Sequence, residues 1–220
     1  MDAIECIKNR MSIRKFKPEP VPQEVLRDVI NTAQRSPSYK NSQPWEVAIL
    51  SGARKEALSK MLIDLLNSGK QICPDLAPPE TWPAAEEARI ADLFRKRKEM
   101  SGIDLSVPEN VIKAKKANFN FYGAPHAIYL FQEASLSQWS LFDMGLFAQT
   151  LMLAACAKGL GTVPQAFATD YAEEVKKHLN IPASKRLVLG ISIGYPDMES
   201  PANALRTDRS STDEIISWLE

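Results

Sequence analysis

Histidine, cysteine and glycine are all scarce in this chain. Two histidines, His126 and His178, and three cysteines, Cys6, Cys73 and Cys156, occur in 220 residues. The cysteine count is odd, the spacing is wide and no C-x-x-C is present. A disulfide framework and a structural zinc site are therefore not expected, and reduced thiols are. With only 9 glycines, the phosphate-cradling loops are missing: there is no G-x-G-x-x-G after a strand and no G-x-x-x-x-G-K-[ST]. The run GLG at 159–161 follows a helical pattern and lacks the third glycine. Neither G-x-S-x-G nor H-E-x-x-H occurs. A nucleophile triad would have to recruit His126, which opens an apolar run, or His178, which sits beside Lys176 and Lys177. No catalytic side chain and no metal ligand set is assigned. Net charge is absent as well. Lys+Arg and Asp+Glu both total 27, which leaves no global field for nucleic acid and no acidic tail.

One apolar stretch bears on membranes. Residues 139–157 are apolar nearly all round, and a spanning helix needs about 20 such residues. Asp143, Gln149 and Thr150 interrupt the run. It reads as a buried central helix or an oligomer-interface helix. The opening MDAIECIKNR mixes charged and apolar residues without a secretory apolar core. No membrane and no nucleic-acid partner is expected, and a cytoplasmic setting is.

What the chain does have is proline, 15 residues, placed between periodic segments. Apolar positions at helical spacing predict helices over 2–10, within 21–37, over 55–66, over 84–100, over 138–158 with Gly159 as a C-cap, and over 170–179 with Asp170 as N-cap. Strands are predicted at 45–50, 126–131 and 187–194, with extended chain at 12–16. GLGTVPQ reads as a loop. The region 68–117 contains a proline-rich stretch and a highly charged helix, and reads as a peripheral excursion from one domain, 1–220. Its run RKRK at 95–98 follows acidic residues on the same helix and reads as a solvated face. Strands alternate with helices, so the class is mixed α and β.

The polar residues are unevenly placed. Arg10, Ser12 and Arg14 alternate, and in extended chain they share one face. Two guanidinium groups and a hydroxyl suit an anion with several oxygens. Arg206 and Arg209 form a second pair. Either cluster could equally be surface charge. The loop SPSYKNSQPW gathers carboxamides and hydroxyls between prolines, fit for a heterocycle edge or simply a capped polar loop. Phe119, Phe121, Tyr122 and Trp82 are either walls for a flat substrate or packing residues.

Taken in order, R-x-S-x-R-x-F (Arg10 to Phe16), S-P-S-x-x-N-S-Q-P-W (Ser36 to Trp45), G-L-G-T-V-P-Q (Gly159 to Gln165), G-Y-P (Gly194 to Pro196) and R-T-D-R (Arg206 to Arg209) resemble the nitroreductase family of FMN-dependent oxidoreductases. The resemblance spans residues 10–209 and leaves out 68–117. It implies an α+β fold with a central mixed sheet flanked by helices, and an intertwined homodimer holding two FMN at its interface. By that resemblance Arg10, Ser12, Arg206 and Arg209 hold the phosphate and ribityl chain, Met11 contributes backbone, and Arg14 lies toward the pyrimidine edge. Pro37, Ser38, Tyr39 and Asn41 come from the partner, with Gln43 bracing their loop. Pro164, Gln165 and Ala166 run beside the central ring, and Asn120 reaches it. Two departures stand out. Met11 replaces a second basic residue or His found in many members. Gln165, Ala166 and Phe167 replace an acidic residue and Gly, and Phe167 is expected to narrow the pocket.

The resemblance further implies a ping-pong cycle in which NADH or NADPH reduces the flavin and a nitroaromatic or quinone then reoxidises it. Other flavin reactions of the family (reductive dehalogenation, ene reduction, flavin breakdown) and a flavin-binding protein with little turnover remain alternatives. So does an anion-binding module without FMN.

Overall fold

A computed structural model describes residues 2–219 of the chain. In chain order the elements are α1 (Ala3–Asn9), α2 (Gln23–Ala33), β1 (Glu46–Ser51), α3 (Gly52–Asn67), α4 (Ala84–Ser101), α5 (Pro108–Phe119), β2 (His126–Glu133), α6 (Gln138–Ala157), β3 (Gly161–Gln165), α7 (Ala172–Leu179) and β4 (Lys185–Gly194). The four strands form one sheet in the order β1-β2-β4-β3. All three pairings are antiparallel. The expected mixed sheet is therefore corrected: among the described residues, parallel pairing is confined to the isolated bridges Ser12–Thr162 and Cys73–Tyr171. The α+β class stands.

The sheet is covered on both faces, which is why β2 is apolar without alternation from Ala127 to Phe131. Strand periodicity sends successive side chains to opposite faces. Ala127, Tyr129 and Phe131 pack with Leu58 and Leu62 of α3, Phe119 of α5 and Val175 of α7. Ile128 and Leu130 pack with Leu26 and Val29 of α2 and Phe147 and Leu151 of α6. Between Leu130 and Phe131 the β2–β4 register slips, skipping Val188, as at a bulge.

α6 is the long apolar run. Among the described residues it is the one helix of sufficient length and hydropathy to cross a membrane. Its buried side packs on α2 and the sheet, which identifies it as a core helix. The other side leaves Trp139 and Phe142 exposed at 62% and 61%. Its end aims the chain into β3. Lys158 caps the helix, Gly159 takes a left-handed φ of 73°, and the N–H groups of Gly159 and Leu160 donate to the carbonyls of Cys156 and Ala155 at 3.0 and 2.9 Å. This pair of hydrogen bonds is the Schellman closure that glycine favours. The strand begins two residues later, so GLGTVPQ is mostly the edge strand β3 and not a loop. Pro164 fits there because an edge strand tolerates a missing N–H.

Two further expectations are corrected. α7 starts after Tyr171, with no side-chain cap. Asp170 instead turns to Lys115 (3.3 Å), and its carbonyl accepts the Cys73 N–H at 2.7 Å. The excursion also holds a second helix, α5, beyond the charged one that the sequence pattern predicts. Pro108 at its first turn was its sequence signal. α5 ends in the core on Phe119, while α4 carries no buried residue.

Candidate functional site

The site is built first from the arm that follows α1. Asp2 starts α1 by accepting the Glu5 N–H at 2.8 Å, and the Glu5 carboxylate accepts the Asp2 N–H at 3.1 Å, a capping box. The chain turns at Arg10 and runs extended along the open edge of β3. Ser12 bridges Thr162, and the Ile13 N–H donates to the Thr162 carbonyl at 3.0 Å. Ile13 is 3% exposed. Its side chain lies so close over Gly161 that a Cβ there would stand 2.6 Å from Ile13 Cγ1. Met11 packs partly against the core.

The tail supplies the second half. Asn203 is 2% exposed. Its Oδ1 accepts the Arg14 N–H at 2.7 Å, and its Nδ2 donates to the carbonyls of Lys15 and Asp197 at 2.8 Å each. This carboxamide ties the tail to the arm. Beyond it Arg206 Nη1 donates to the Asn9 carbonyl at 2.8 Å. Arg209 Nη1 donates to Thr207 Oγ1 at 2.8 Å and to the Asp208 carbonyl at 2.6 Å. Arm and tail enclose a cavity of about 550 Å³ whose lining includes Arg10, Met11, Ser12, Arg14, Arg206 and Arg209. Lys8 and Arg97 add two more cations, and no Asp or Glu lines it among the described residues. Cations gathered without carboxylates repel one another and favour a bound anion.

The presence of Arg97 corrects the reading of the RKRK run. Arg95 pairs with Asp92 and Glu99 at 2.6 Å, Lys96 with Asp92 at 2.8 Å and with Asp208, and Lys98 with Asp104 at 2.6 Å. These three do form a solvated, neutralised face. Arg97 is half-buried instead. Burial, and then the charge of Arg14, hold its pKa below the ordinary arginine value. The charged pattern of the sequence could not separate one cation from its three neighbours.

The loop at 36–45 lies elsewhere. The Tyr39 N–H donates to both carboxylate oxygens of Asp143 at 3.1 Å, and Asp143 is buried under it. Lys40, Asn41 and Gln43 take left-handed φ values of 52°, 57° and 47°, a conformation that costs a non-glycine residue about 1–2 kcal/mol. The Gln43 N–H donates to Ser38 Oγ at 3.0 Å, and Gln43 Nε2 donates to the Asn41 carbonyl at 3.3 Å. Pro37, Tyr39 and Asn41 are exposed, and Tyr39 stacks on Trp139 with ring centroids 6.0 Å apart. Within one chain this loop shares no described cavity with the arginines.

At the end of β3, Pro164 and Ala166 are exposed and Gln165 is buried. The Gln165 amide is consumed internally: Nε2 donates to the Asn118 carbonyl at 2.8 Å, and Oε1 accepts the Ser192 hydroxyl. Its backbone alone is left for a ligand. Asn120 caps α5, is exposed, and accepts from Ser59 Oγ at 3.5 Å. Phe167 is 40% exposed under the Lys115 ammonium, 5.2 Å from the ring centroid. Of the four aromatic candidates, Phe119 and Phe121 are fully buried packing residues. Trp82 is half-exposed, and Tyr122 lines a second cavity with Arg14 and Arg97.

Fold and site together define an α+β protein that presents, along the edge of a doubly covered antiparallel sheet, an arginine cavity with no carboxylate among its described lining residues. The chain matches the Nitroreductase family over residues 7–195 and belongs to it. It is 33% identical to nitroreductase NfnB of Mycolicibacterium smegmatis over 96% of this chain and 90% of that protein. It is 32% identical to 4-nitrobenzoate reductase of Pseudomonas putida over 92% and 89%. The crystal structure of FMN-dependent NfnB from Mycobacterium smegmatis in complex with NADPH superposes with a TM-score of 0.94, at 32% identity, covering 99% of this chain and 98% of that one.

Proposed function

We propose that this chain is an FMN-dependent oxidoreductase that oxidises NADH or NADPH and reduces nitroaromatic or quinone-like acceptors by a ping-pong cycle. The observation that carries the reading is the arginine cavity, with Ser12 on its wall and no carboxylate among its described lining residues. Such a lining fits a phosphate monoester dianion. The family match and the NADPH complex of the M. smegmatis relative support it. When bound, FMN supplies the hydride and electron chemistry that no side chain here offers.

The chain's own part is binding and field. Arg10, Arg206 and Arg209, with the Ser12 hydroxyl, hold the phosphate and ribityl chain, and Met11 adds backbone. Arg14 stabilises negative charge toward the pyrimidine edge, as a preorganised cation does in a partly dry site. The backbone of Pro164, Gln165 and Ala166 and the Asn120 amide flank the ring system. Pro37, Ser38, Tyr39 and Asn41 reach it from a second copy, with Gln43 bracing their loop. No side chain is given an acid or base role: His126 is buried and both ring nitrogens are engaged, by Ser51 Oγ at 2.5 Å and the Val21 N–H at 2.9 Å.

A homodimer belongs to the same reading. Trp139 and Phe142 on α6, and Trp218 and Leu219 in the tail (84% and 94% exposed), are large apolar groups open to water, and a second copy would cover them. The chain acts as one domain, 1–220, whose excursion at 68–117 walls the cavity through α4. A cytoplasmic setting accompanies it.

The test is the visible spectrum of the purified protein and its bleaching by NADH or NADPH, with thermal unfolding in added FMN. A yellow protein that bleaches, and that gains about 2.7 kcal/mol at FMN one hundredfold above Kd, is expected. A colourless protein whose unfolding FMN does not move refutes the proposal.

A further inference from the structure

A second cavity, of about 310 Å³, lies between the C-terminal half of α4 and α5. Its walls are apolar, with Met100, Ile103, Leu105, Ala117 and Tyr122, while Arg14, Arg97 and Lys113 are the charged groups on it. No Asp or Glu lines it among the described residues. Arg14 and Arg97 also line the arginine cavity, so the two spaces meet at this pair. The size falls at the lower end of small-ligand pockets, which run from about 300 to 1,000 Å³, and suits one substituted ring better than a dinucleotide.

Arg97 is the unusual member. Among the described residues it has no ion pair and no side-chain hydrogen bond, whereas Arg95, Lys96 and Lys98 beside it are all paired. It shares both cavities with another cation, Arg14, whose charge acts against its own. A half-buried guanidinium held near a like charge attracts an anion. Tyr122 on the cavity wall stands in a run of left-handed backbone: Phe121, Tyr122 and Gly123 take φ values of 50°, 54° and 75° in succession. Backbone held in such sparsely populated regions clusters at ligand sites.

We infer that this cavity takes the aromatic body of an anionic acceptor, a nitroarene carrying a carboxylate, and that Arg97 is the counter-ion that selects it over a neutral nitroarene. The inference rests on the flavin reading only for the reduction itself; recognition of the carboxylate is a property of the cavity.

Calorimetric titration of the purified holoprotein with benzoate, and with benzamide as its neutral near-isostere, measures recognition without turnover. Benzoate is expected to bind about 10–100-fold more tightly, the range of a charge-assisted hydrogen bond. Arg97→Met keeps the aliphatic stem on a helix that tolerates Met and is expected to remove that preference; Arg97→Lys is expected to restore part of it. In steady state the ratio of kcat/KM for 4-nitrobenzoate to that for nitrobenzene falls by the same factor in Arg97→Met, through KM.

Equal binding of benzoate and benzamide by the wild type overturns the inference. So does loss of bound flavin in Arg97→Met, which would make Arg97 a cofactor ligand. A rise in KM for NADPH with that for NADH unchanged overturns it too, because Arg97 would then serve the ribose phosphate. A yellow, active enzyme indifferent to the carboxylate sinks this inference alone. A colourless protein that still discriminates through Arg97 sinks the flavin reading alone.

Discussion

Gly161→Ala tests how the arm is seated. The added Cβ would lie 2.6, 3.0 and 3.1 Å from Cγ1, Cβ and Cγ2 of Ile13. Carbon atoms rest about 3.5–4.0 Å apart, so the arm or β3 must give way by about 1 Å. Ile13 has little room to yield, being 3% exposed and branched at Cβ. Overpacking of this kind costs about 1–3 kcal/mol. The displaced arm also weakens the bond from the Ile13 N–H to Thr162, about 0.5–1.5 kcal/mol net. A total of about 2–4 kcal/mol is expected in urea unfolding at fixed protein and FMN concentration, with weaker FMN retention because Arg10, Ser12 and Arg14 ride on the same segment. The double variant Gly161→Ala/Ile13→Ala separates steric cause from any other. Ile13→Ala alone opens a cavity worth about 2–5 kcal/mol, but it also removes two of the three clashing atoms. The pair should therefore be less destabilised than the sum by about 1–2 kcal/mol. Wild-type stability in Gly161→Ala, or strict additivity in the double variant, would refute the close-approach reasoning.

Asn203→Ala leaves the Arg14 N–H and the carbonyls of Lys15 and Asp197 without this partner; we expect a loss of about 2–3 kcal/mol, read by denaturant unfolding, together with faster hydrogen exchange at Arg14. On the proposed reading, in which Arg206 and Arg209 hold the FMN phosphate, Arg206→Ala and Arg209→Ala should each raise the Kd for FMN by about 10–100-fold, measured by fluorescence titration of the apoprotein; wild-type Kd in both would remove the tail from the site. His126 is held below its ordinary value of 6.5 mainly by burial, then by the charge of Lys55, and the Val21 N–H needs its unprotonated Nε2. The unfolded chain therefore binds one more proton as pH falls below about 6.5, so stability drops through that window and is unaffected above it; a variant His126→Asn should flatten this slope in unfolding titrations from pH 7 to 5.

Much of the scaffold was written in local pattern. The apolar period of α2 and α6, the β-branched run of β4 and the glycine after α6 each act through neighbours a few residues away, so they are legible without the fold. The order of the motifs from Arg10 to Arg209 identified the family for the same reason: each motif is contiguous. The loop 36–45 was legible as polar, but not its seating on Asp143, 104 residues away. GLGTVPQ reads as a loop because an edge strand has half the pairing that makes a strand's composition distinctive. α5 was hidden inside a charged excursion, although it ends on a buried phenylalanine.

By itself, then, the sequence determined the helices and strands other than α5 and β3, the polar face Arg10–Ser12–Arg14 and the late arginines, because period and spacing are properties of the chain. Only the tertiary structure decided that Gln165 spends its amide on Asn118 and Ser192, that Asn203 binds arm to tail, and that one of the four cations at 95–98, Arg97, lines the same cavity as Arg14. Those outcomes depend on which distant groups share a small, poorly solvated space, where a hydrogen bond or an unpaired charge weighs far more than it does in water.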